Sequence, residues 1–429
     1  MGHTARSAAR AALAAVIATG LVIAAAGCSA QNSAQDAKAP LKIWINDVTH
    51  NADWKGALAD FKKKTGITAT ATFYQNDQFK QQIANATGTS TMPDAFVQWS
   101  GIGLLGNIYD AGAIAPMDTY FDKYKWSDRF SNTAVASITL DDKKMGVPFQ
   151  VQEMAVVYKK STFENAGITP PTTFAELEAA NAAFKAKGIT PWSFAGKNSW
   201  DTMRLSDSLI ETSCGAKEFD NLRDLKSDWK TSACAAKGFQ TFKDWIDKGY
   251  LVKDYMGLDP NANEMWKPII DGTAAMTIDG NWSSGSIKKL GANPDDYSYF
   301  VFPSDTDRLA YFATSIYVGS ASKNKAGAAK LADYLTQKAV VEKYPGILNG
   351  SVSATAGVTA ASTDPYDVGW VELGKKYTGV YGPSDQAFPP DVAQAYLLNN
   401  DKLQLGQETP AVVTAGIQQA AATYKASKG

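Results

Sequence analysis

Amide, carboxylate and indole side chains recur in short clusters along this chain: Asn46 with Asp47, Gln98 with Trp99 and Ser100, Gln152 with Glu153, and Asp279 with Asn281 and Trp282. Asn198 and Trp200 form a looser pair, and Phe312 and Phe388 stand singly. Planar bidentate groups match hydroxyls on the edge of a polyhydroxylated ring, and aromatic faces match its C–H patches. A second chemistry is open to the same residues. Glu153 and Asp279 could act as general acid and base on a glycosidic bond, since that reaction needs only two carboxylates. Each side chain also has a plainer use. Trp99, Trp200 and Trp282 could pack a core, Asp47 and Glu153 could cap helices, and Asp279 could sit in a turn.

Other chemistries lack their parts. The histidines are His3 and His50, too few for a multi-histidine zinc site, and no histidine-dependent triad is expected. No metal and no cofactor is expected. Gly101-Ile102-Gly103-Leu104-Leu105-Gly106 fits a dinucleotide-loop pattern. It follows the third predicted strand, however, where a dinucleotide loop should follow the first. A helix starting beside a cleft, with glycines admitting a close backbone, explains the run better.

The elements that would position these groups alternate. Leu41 to Ile45 reads as a strand, and a helix carries Trp54, Ala57, Leu58 and Phe61 on one stripe, capped by Asn51 or Asp53 and stopped by Gly66. A strand over 68–74, a helix around Phe79 to Ile83 capped by Asn76 or Asp77, and an apolar strand over 95–98 follow. Such alternation indicates an α/β fold with parallel strands. Further strands are expected over 149–158, 274–278, 297–302 and 315–319. Helices are expected over 174–187 behind a Thr173/Glu176 capping box, within 202–249, after Asn324, and twice at the C-terminus. Trp44, Trp54, Trp126, Trp229 and Trp245 read as packing. Cys214 and Cys234 are the two cysteines after Cys28 and are expected to pair in an exported protein, contributing about 3 kcal/mol by loop closure.

The N-terminus sets the compartment. Arg6 and Arg10 precede an uncharged run from Ala11 to Gly27, shorter than a spanning helix and ending in small residues before Cys28. This resembles a bacterial lipoprotein signal peptide: residues 1–27 are removed, Cys28 is lipidated, and 28–39 forms a polar tether. The chain then sits on the outer face of the cytoplasmic membrane, extracellular or periplasmic. Without Arg6 and Arg10, the 42 basic residues become 40 against 43 acidic, a net charge near −3. That balance gives no footprint for nucleic acid and no basic surface for anionic lipid.

Several stretches then carry a family resemblance in order. They are Trp44-Ile45-Asn46-Asp47, Pro93-Asp94-Ala95-Phe96-Val97-Gln98-Trp99, Gly146-Val147-Pro148, Tyr158-Lys159-Lys160 and Phe163-Glu164-Asn165-Ala166-Gly167-Ile168. Pro170-Pro171-Thr172-Thr173-Phe174 comes next, and Asp271-Gly272-Thr273-Ala274-Ala275-Met276 runs on to Gly280-Asn281-Trp282. The set resembles the extracellular solute-binding proteins of carbohydrate ATP-binding-cassette importers, the group that includes maltose-binding protein. The resemblance implies a two-lobe periplasmic-binding-protein fold with a central hinge and an inter-lobe ligand cleft. It divides the chain into a first lobe of 40–150 plus 282–338 and a second of 151–281 plus 339–429, with crossings near 149–153, 279–282 and 337–340.

The resemblance further implies a carbohydrate ligand, a mono- or oligosaccharide captured by hinge closure and delivered to permease subunits, by a monomer that touches the membrane through its lipid anchor only. It implies no catalysis. Carried over residue by residue, the ligand contacts are Asn46, Asp47, Gln98, Trp99, Ser100, Gln152, Glu153, Asn198, Trp200, Asp279, Asn281, Trp282, Phe312 and Phe388. The expected cleft holds few cations and no tyrosine pair at the strand ends, which argues against a charged ligand.

Overall fold

Seven strands form the path of one sheet: β1 (Leu41–Ile45), β2 (Ala69–Phe73), β3 (Ala95–Trp99), β4 (Gly146–Lys159), β5 (Thr190–Trp192), β6 (Ala274–Gly280) and β7 (Arg308–Val318). Their spatial order is β2-β1-β3-β7-β4-β6-β5. The computed structural model describes residues 38–358, 364–377 and 379–428. The expected leader, Cys28 and the tether up to residue 37 lie outside the described residues. β1 runs parallel to β2 and β3, and β5 parallel to β6, whereas β7 is antiparallel to both β3 and β4. Among the described residues no helix is long and apolar enough to cross a membrane.

Two hydrophobic cores divide this sheet into two lobes. One gathers Ile43, Phe96, Trp126, Phe149, Ile316 and Leu331; the other gathers Val156, Trp192, Trp245, Met276, Leu309 and Tyr396. β4 and β7 enter both. Val147 and Phe149 pack in the first core and Met154 to Val157 in the second, while Leu309 and Ala310 pack in the second and Ile316 to Val318 in the first. Between them Phe312 touches both cores, and the β7–β4 register shifts at Thr314/Ser315. Such a shift bends and twists a strand where its neighbours change.

This packing departs from the division expected at 282 and 339. Ile287, Tyr297 and Phe302 stay in the second core, because the chain folds back onto that lobe after β6. Val340, Val341 and Leu348 remain in the first core, so no crossing falls at 337–340. The crossings lie within β4, within β7 and between Val358 and Tyr366.

Local sequence explains the elements that carry the cleft. β3 (Ala-Phe-Val-Gln-Trp) is buried along its whole length, Gln98 included, as suits a central strand. Helix α1 (Asn51–Thr65) buries Trp54, Ala57, Leu58 and Phe61 and ends at Gly66, whose left-handed φ of 75° lets its N–H reach the Lys62 carbonyl. Neither Asn51 nor Asp53 caps α1; Asp47 Oδ1 instead accepts the Thr49 and His50 N–H groups at 2.7 and 3.2 Å. Helix α2 (Asn76–Ala86) likewise starts without a side-chain cap from Asn76 or Asp77. The Thr173/Glu176 capping box forms as expected. Cys214 and Cys234 are joined, with Cα atoms 4.9 Å apart. The bridge ties helix α4 (Trp200–Arg223), next to its break at Gly215, to the following helix Ala233–Asp247.

Candidate ligand-binding site

A cavity of about 220 Å³ lies where the lobes meet. Asn46, Asp47 and Trp99 reach it from just beyond or at the ends of β1 and β3; Gln152 and Phe312 come from the two crossing strands; Trp200, Arg204, Asp279 and Trp282 come from the second lobe. Side chains at strand ends are where an α/β sheet opens its crevice.

Arg204 organises the second wall. Its guanidinium carbon lies 4.9 Å from the Trp200 ring centre and 5.4 Å from that of Trp282, one cation over two indole rings. Nη1 donates to Asp201 Oδ1 at 2.9 Å, the Ile278 carbonyl at 3.0 Å and Asp279 Oδ1 at 3.1 Å. Asp279 Oδ2 accepts the Trp266 indole N–H at 3.1 Å. Burial pushes the Asp279 carboxyl up from its ordinary range and Arg204 pulls it back part of the way; burial pushes Asp201 up to about 6. Both carboxylates are thus committed to Arg204, and among the described residues its three bonds all use Nη1.

The aromatic faces come from both lobes. Phe312 packs against Trp282 with ring centres 5.6 Å apart. Trp99 is braced edge-on by Phe79 at 6.1 Å. Lys80, on α2, sits 5.3 Å from the Trp99 ring and 5.6 Å from that of Trp200. Several lining residues carry a buried polar atom with no partner among the described residues: Trp54 Nε1, Asn76 Oδ1, Trp200 Nε1, Asp385 Oδ1 and Gln386 Oε1. Buried polar atoms are normally satisfied, and these exceptions fall on residues of both walls of the cavity.

Not every expected contact is brought here. Asn46, Asp47, Trp99, Gln152, Trp200, Asp279, Trp282 and Phe312 line the cavity; Gln98, Ser100, Glu153, Asn198, Asn281 and Phe388 do not. Successive side chains on a strand point to opposite faces, so Gln152 and Glu153 cannot share a cavity, and neither can Gln98 and Trp99. Gln98 Nε2 donates to the Leu104 carbonyl at 3.1 Å. Ser100 Oγ is engaged by Ser315 and Tyr317. Asn281 Nδ2 donates to the Val151 carbonyl. Asn198 Nδ2 donates to Asp77 Oδ2 at 2.5 Å, across the lobes. Phe388 is fully buried between Trp229 and Tyr396.

Glu153 packs on the other side of β4 against Gly374, where a Cβ would stand 2.4 Å from its Oε1, and burial pushes its carboxyl up to about 7. The alternative of acid–base hydrolysis by Glu153 and Asp279 therefore falls: one carboxyl is outside the cavity and the other is bound to Arg204. Two carboxylates must flank the same bond for that chemistry.

Known proteins share this architecture. A family described as bacterial extracellular solute-binding protein matches residues 47–342. The chain belongs to that family. A binding protein of Brucella abortus (strain 2308) is 28% identical over 288 residues, 64% of this chain and 65% of its own length. The chain thus spans just under two thirds of that relative. A diacetylchitobiose binding protein of Streptomyces coelicolor is 23% identical over 362 residues, 78% of this chain and 79% of its own. A maltotriose-binding protein of Pyrococcus abyssi is 23% identical over 311 residues, 70% and 63% respectively. Among solved structures, a chitin oligosaccharide binding protein superposes with a TM-score of 0.78 at 22% identity, covering 90% of this chain and 98% of that one. A bacterial solute receptor with an exclusive preference for β-D-galactopyranose gives 0.80 at 21%, covering 90% and 99%. These superpositions establish the two-domain fold of solute-binding proteins.

The cavity is also lined by residues that the sequence analysis does not single out. Arg204, Lys80 and Lys289 line it, so the expectation of few cations is corrected. A signal for Arg204 was present: Asp201, Arg204, Asp207, Ser208 and Glu211 recur at helical spacing and are all buried on α4. Asp385 and Gln386 had none, because they lie on a short turn far along the chain.

Proposed function

We propose that this chain captures a mono- or oligosaccharide outside the cytoplasmic membrane by closing its lobes on it, and delivers it to the permease subunits of an ATP-binding-cassette importer. The observation that carries this reading is the cavity lining itself: one guanidinium over two indole rings on one side, a third indole, Trp99, from the other lobe, and lining residues whose polar atoms are unpartnered among the described residues. Flat faces and directional hydrogen bonds together suit a neutral polyhydroxylated ring. The relatives named for maltotriose and diacetylchitobiose point the same way. Lobe closure is supported by the long strands β4 and β7, which connect the cores with few other covalent links. Lipidation at Cys28 would hold the protein at the membrane, and the protein is proposed to work as a monomer.

The experiment is a saccharide panel read by thermal shift and by product analysis, on the chain lacking residues 1–27. A binder raises the melting temperature with at least one saccharide and releases no product. Trp282→Ala is expected to weaken that binding by about 2 kcal/mol, roughly thirtyfold. Silence across neutral mono- and oligosaccharides, or release of a hydrolysis product, would overturn the reading.

A further inference from the structure

The turn Ser384–Ala387 crosses the second-lobe wall of the cavity and is clamped from both sides. From behind, the wholly buried Asp207 of α4 holds its first residue: Oδ2 accepts the Ser384 N–H at 2.9 Å, and Oδ1 accepts the Ser384 hydroxyl at 2.7 Å and that of Tyr396 at 2.8 Å. From the other lobe, the glycine run at 101–106, which opens helix α3 (Ile102–Asp110), presses against its backbone. A Cβ on Gly103 would lie 2.1 Å from the Asp385 carbonyl oxygen, and one on Gly101 would lie 2.7 Å from that of Gln386. The glycines thus admit a close backbone approach between lobes, the use that their spacing allows outside a nucleotide site.

Asp385 and Gln386, the two residues this clamp fixes, both line the cavity and are only 8% and 7% exposed. Asp385 Oδ1 and Gln386 Oε1 have no partner among the described residues. A buried acceptor left unmade costs about 1–3 kcal/mol, so two neighbouring ones on a rigid turn are a built feature. The charges around them narrow what they can accept. Lys80 and Arg204 act on Asp385, pulling its carboxyl back against the upward push of burial. A ligand ammonium would meet those two cations, and a ligand carboxylate would meet Asp385 itself. Neutral O–H donors meet neither penalty.

We propose that Asp385 and Gln386 are specificity-determining acceptors of this cleft and read two adjacent hydroxyls, a neutral vicinal diol, on the ligand. The proposal deepens the saccharide reading and rests on the cavity being the ligand site. Gln98, Ser100 and Asn281, three of the amide and hydroxyl contacts expected from sequence, lie outside the cavity, with Gln98 Nε2, Ser100 Oγ and Asn281 Nδ2 bonded within the protein. Asp385 and Gln386 thereby join Asn46, Asp47 and Gln152 as the polar side chains that read hydroxyls in this cavity.

The test uses glycerol as a minimal vicinal diol and 1,3-propanediol as its spaced control. The readout is the side-chain carboxyl carbon resonance of Asp385 in aspartate-labelled full-length protein, assigned with Asp385→Asn. Glycerol is expected to shift this resonance saturably and to bind at least about threefold more tightly than 1,3-propanediol. Gln386→Ala is expected to weaken glycerol about fivefold with unchanged circular dichroism. No saturable shift, equal affinity for the two diols, or an unaltered response in Gln386→Ala would each overturn the assignment. The saccharide panel fails or succeeds separately. A sugar that binds while glycerol leaves Asp385 untouched removes this proposal alone, and glycerol binding at Asp385 in a protein that ignores all sugars removes the saccharide reading alone.

Discussion

The two walls of the cleft are built by different means. The first-lobe wall is local: Asn46 and Asp47 follow β1, and Trp99 ends β3, so each is placed by the strand it belongs to. The second-lobe wall is assembled from distant pieces. Trp200 and Arg204 come from α4, Asp279 from β6, and Asp385 from the turn at Ser384–Ala387. What binds α4 to β6 is buried charge: Arg204, paired within α4 to Asp201, donates across to Asp279 and the Ile278 carbonyl where solvent hardly reaches. Buried ion pairs add little net stability when intact but are costly to break. A substitution in the first wall should therefore act locally, and one in the second should threaten the lobe.

Arg204→Leu is the harshest trial of that contrast. It leaves Asp201 and Asp279 buried without their cation, and breaking such a group costs about 3–5 kcal/mol. Urea unfolding of the variant should show a loss of that size, with the second lobe losing protection from hydrogen exchange first. A loss under about 1 kcal/mol would mean that packing, not charge, holds this wall.

Glu153 provides a second trial, at the point where β4 passes from one core to the other. Its carboxyl has an ordinary value of 4.5 and is pushed up to about 7 by burial. The folded protein then binds the proton more tightly than the unfolded chain, so this group's contribution is fully present below pH 4.5 and is lost as pH rises through about 7. The loss approaches about 3 kcal/mol at alkaline pH. Asp201 and Asp207, both pushed up to about 6 by burial, slope the same way in the second lobe. Glu153→Gln cannot ionise, so the stability of the variant relative to the parent should rise by about that amount between pH 4.5 and 8.5. A difference that stays flat with pH would mean that Glu153 is solvated when charged and that the crossing is looser than its packing against Gly374 indicates.

Most of the fold was legible because it is written in short-range pattern. The strands at 41–45, 95–99 and 274–280 and the stripe of α1 follow from alternation and helical spacing. The site was legible only where a side chain's direction is fixed by its own element. Gln152 and Glu153 are adjacent in sequence and chemically a pair, yet a strand sends them to opposite faces. Asn281 and Ser100 have the right chemistry, but their atoms are used to join strands. Trp54 packs as its place on the α1 stripe indicates and is buried, yet it also lines the cavity and its indole N–H has no partner among the described residues. Arg204 and Asp385 escaped because their placement depends on partners far away in sequence. The lobe boundaries escaped for a related reason: which core takes residues 287–310 is decided by where the chain turns back after β6, and no local pattern encodes that.

The smallest expected effect lies in the first wall. Asp47 accepts the Thr49 and His50 N–H groups through Oδ1, and its Oδ2 lies 3.1 Å from His50 Nδ1. Burial alone would lower the His50 pKa, but hydrogen bonding and charge from Asp47, with further help from Asp53, raise it above 6.5. Protonated His50 thus stabilises the fold below pH 6.5, and that contribution fades as pH rises through the higher folded value. Asp47→Ala removes both the turn that starts α1 and this partner, and should cost about 1 kcal/mol near neutral pH, as loss of a helix-start acceptor does. With Asp47 gone, burial is unopposed by its strongest counterweight, and the His50 midpoint followed by NMR should fall. Hydrogen exchange in the second lobe should not change. If the midpoint stays high, or if the second lobe loosens with it, the first wall is held by long-range partners as well, and the contrast between the walls disappears.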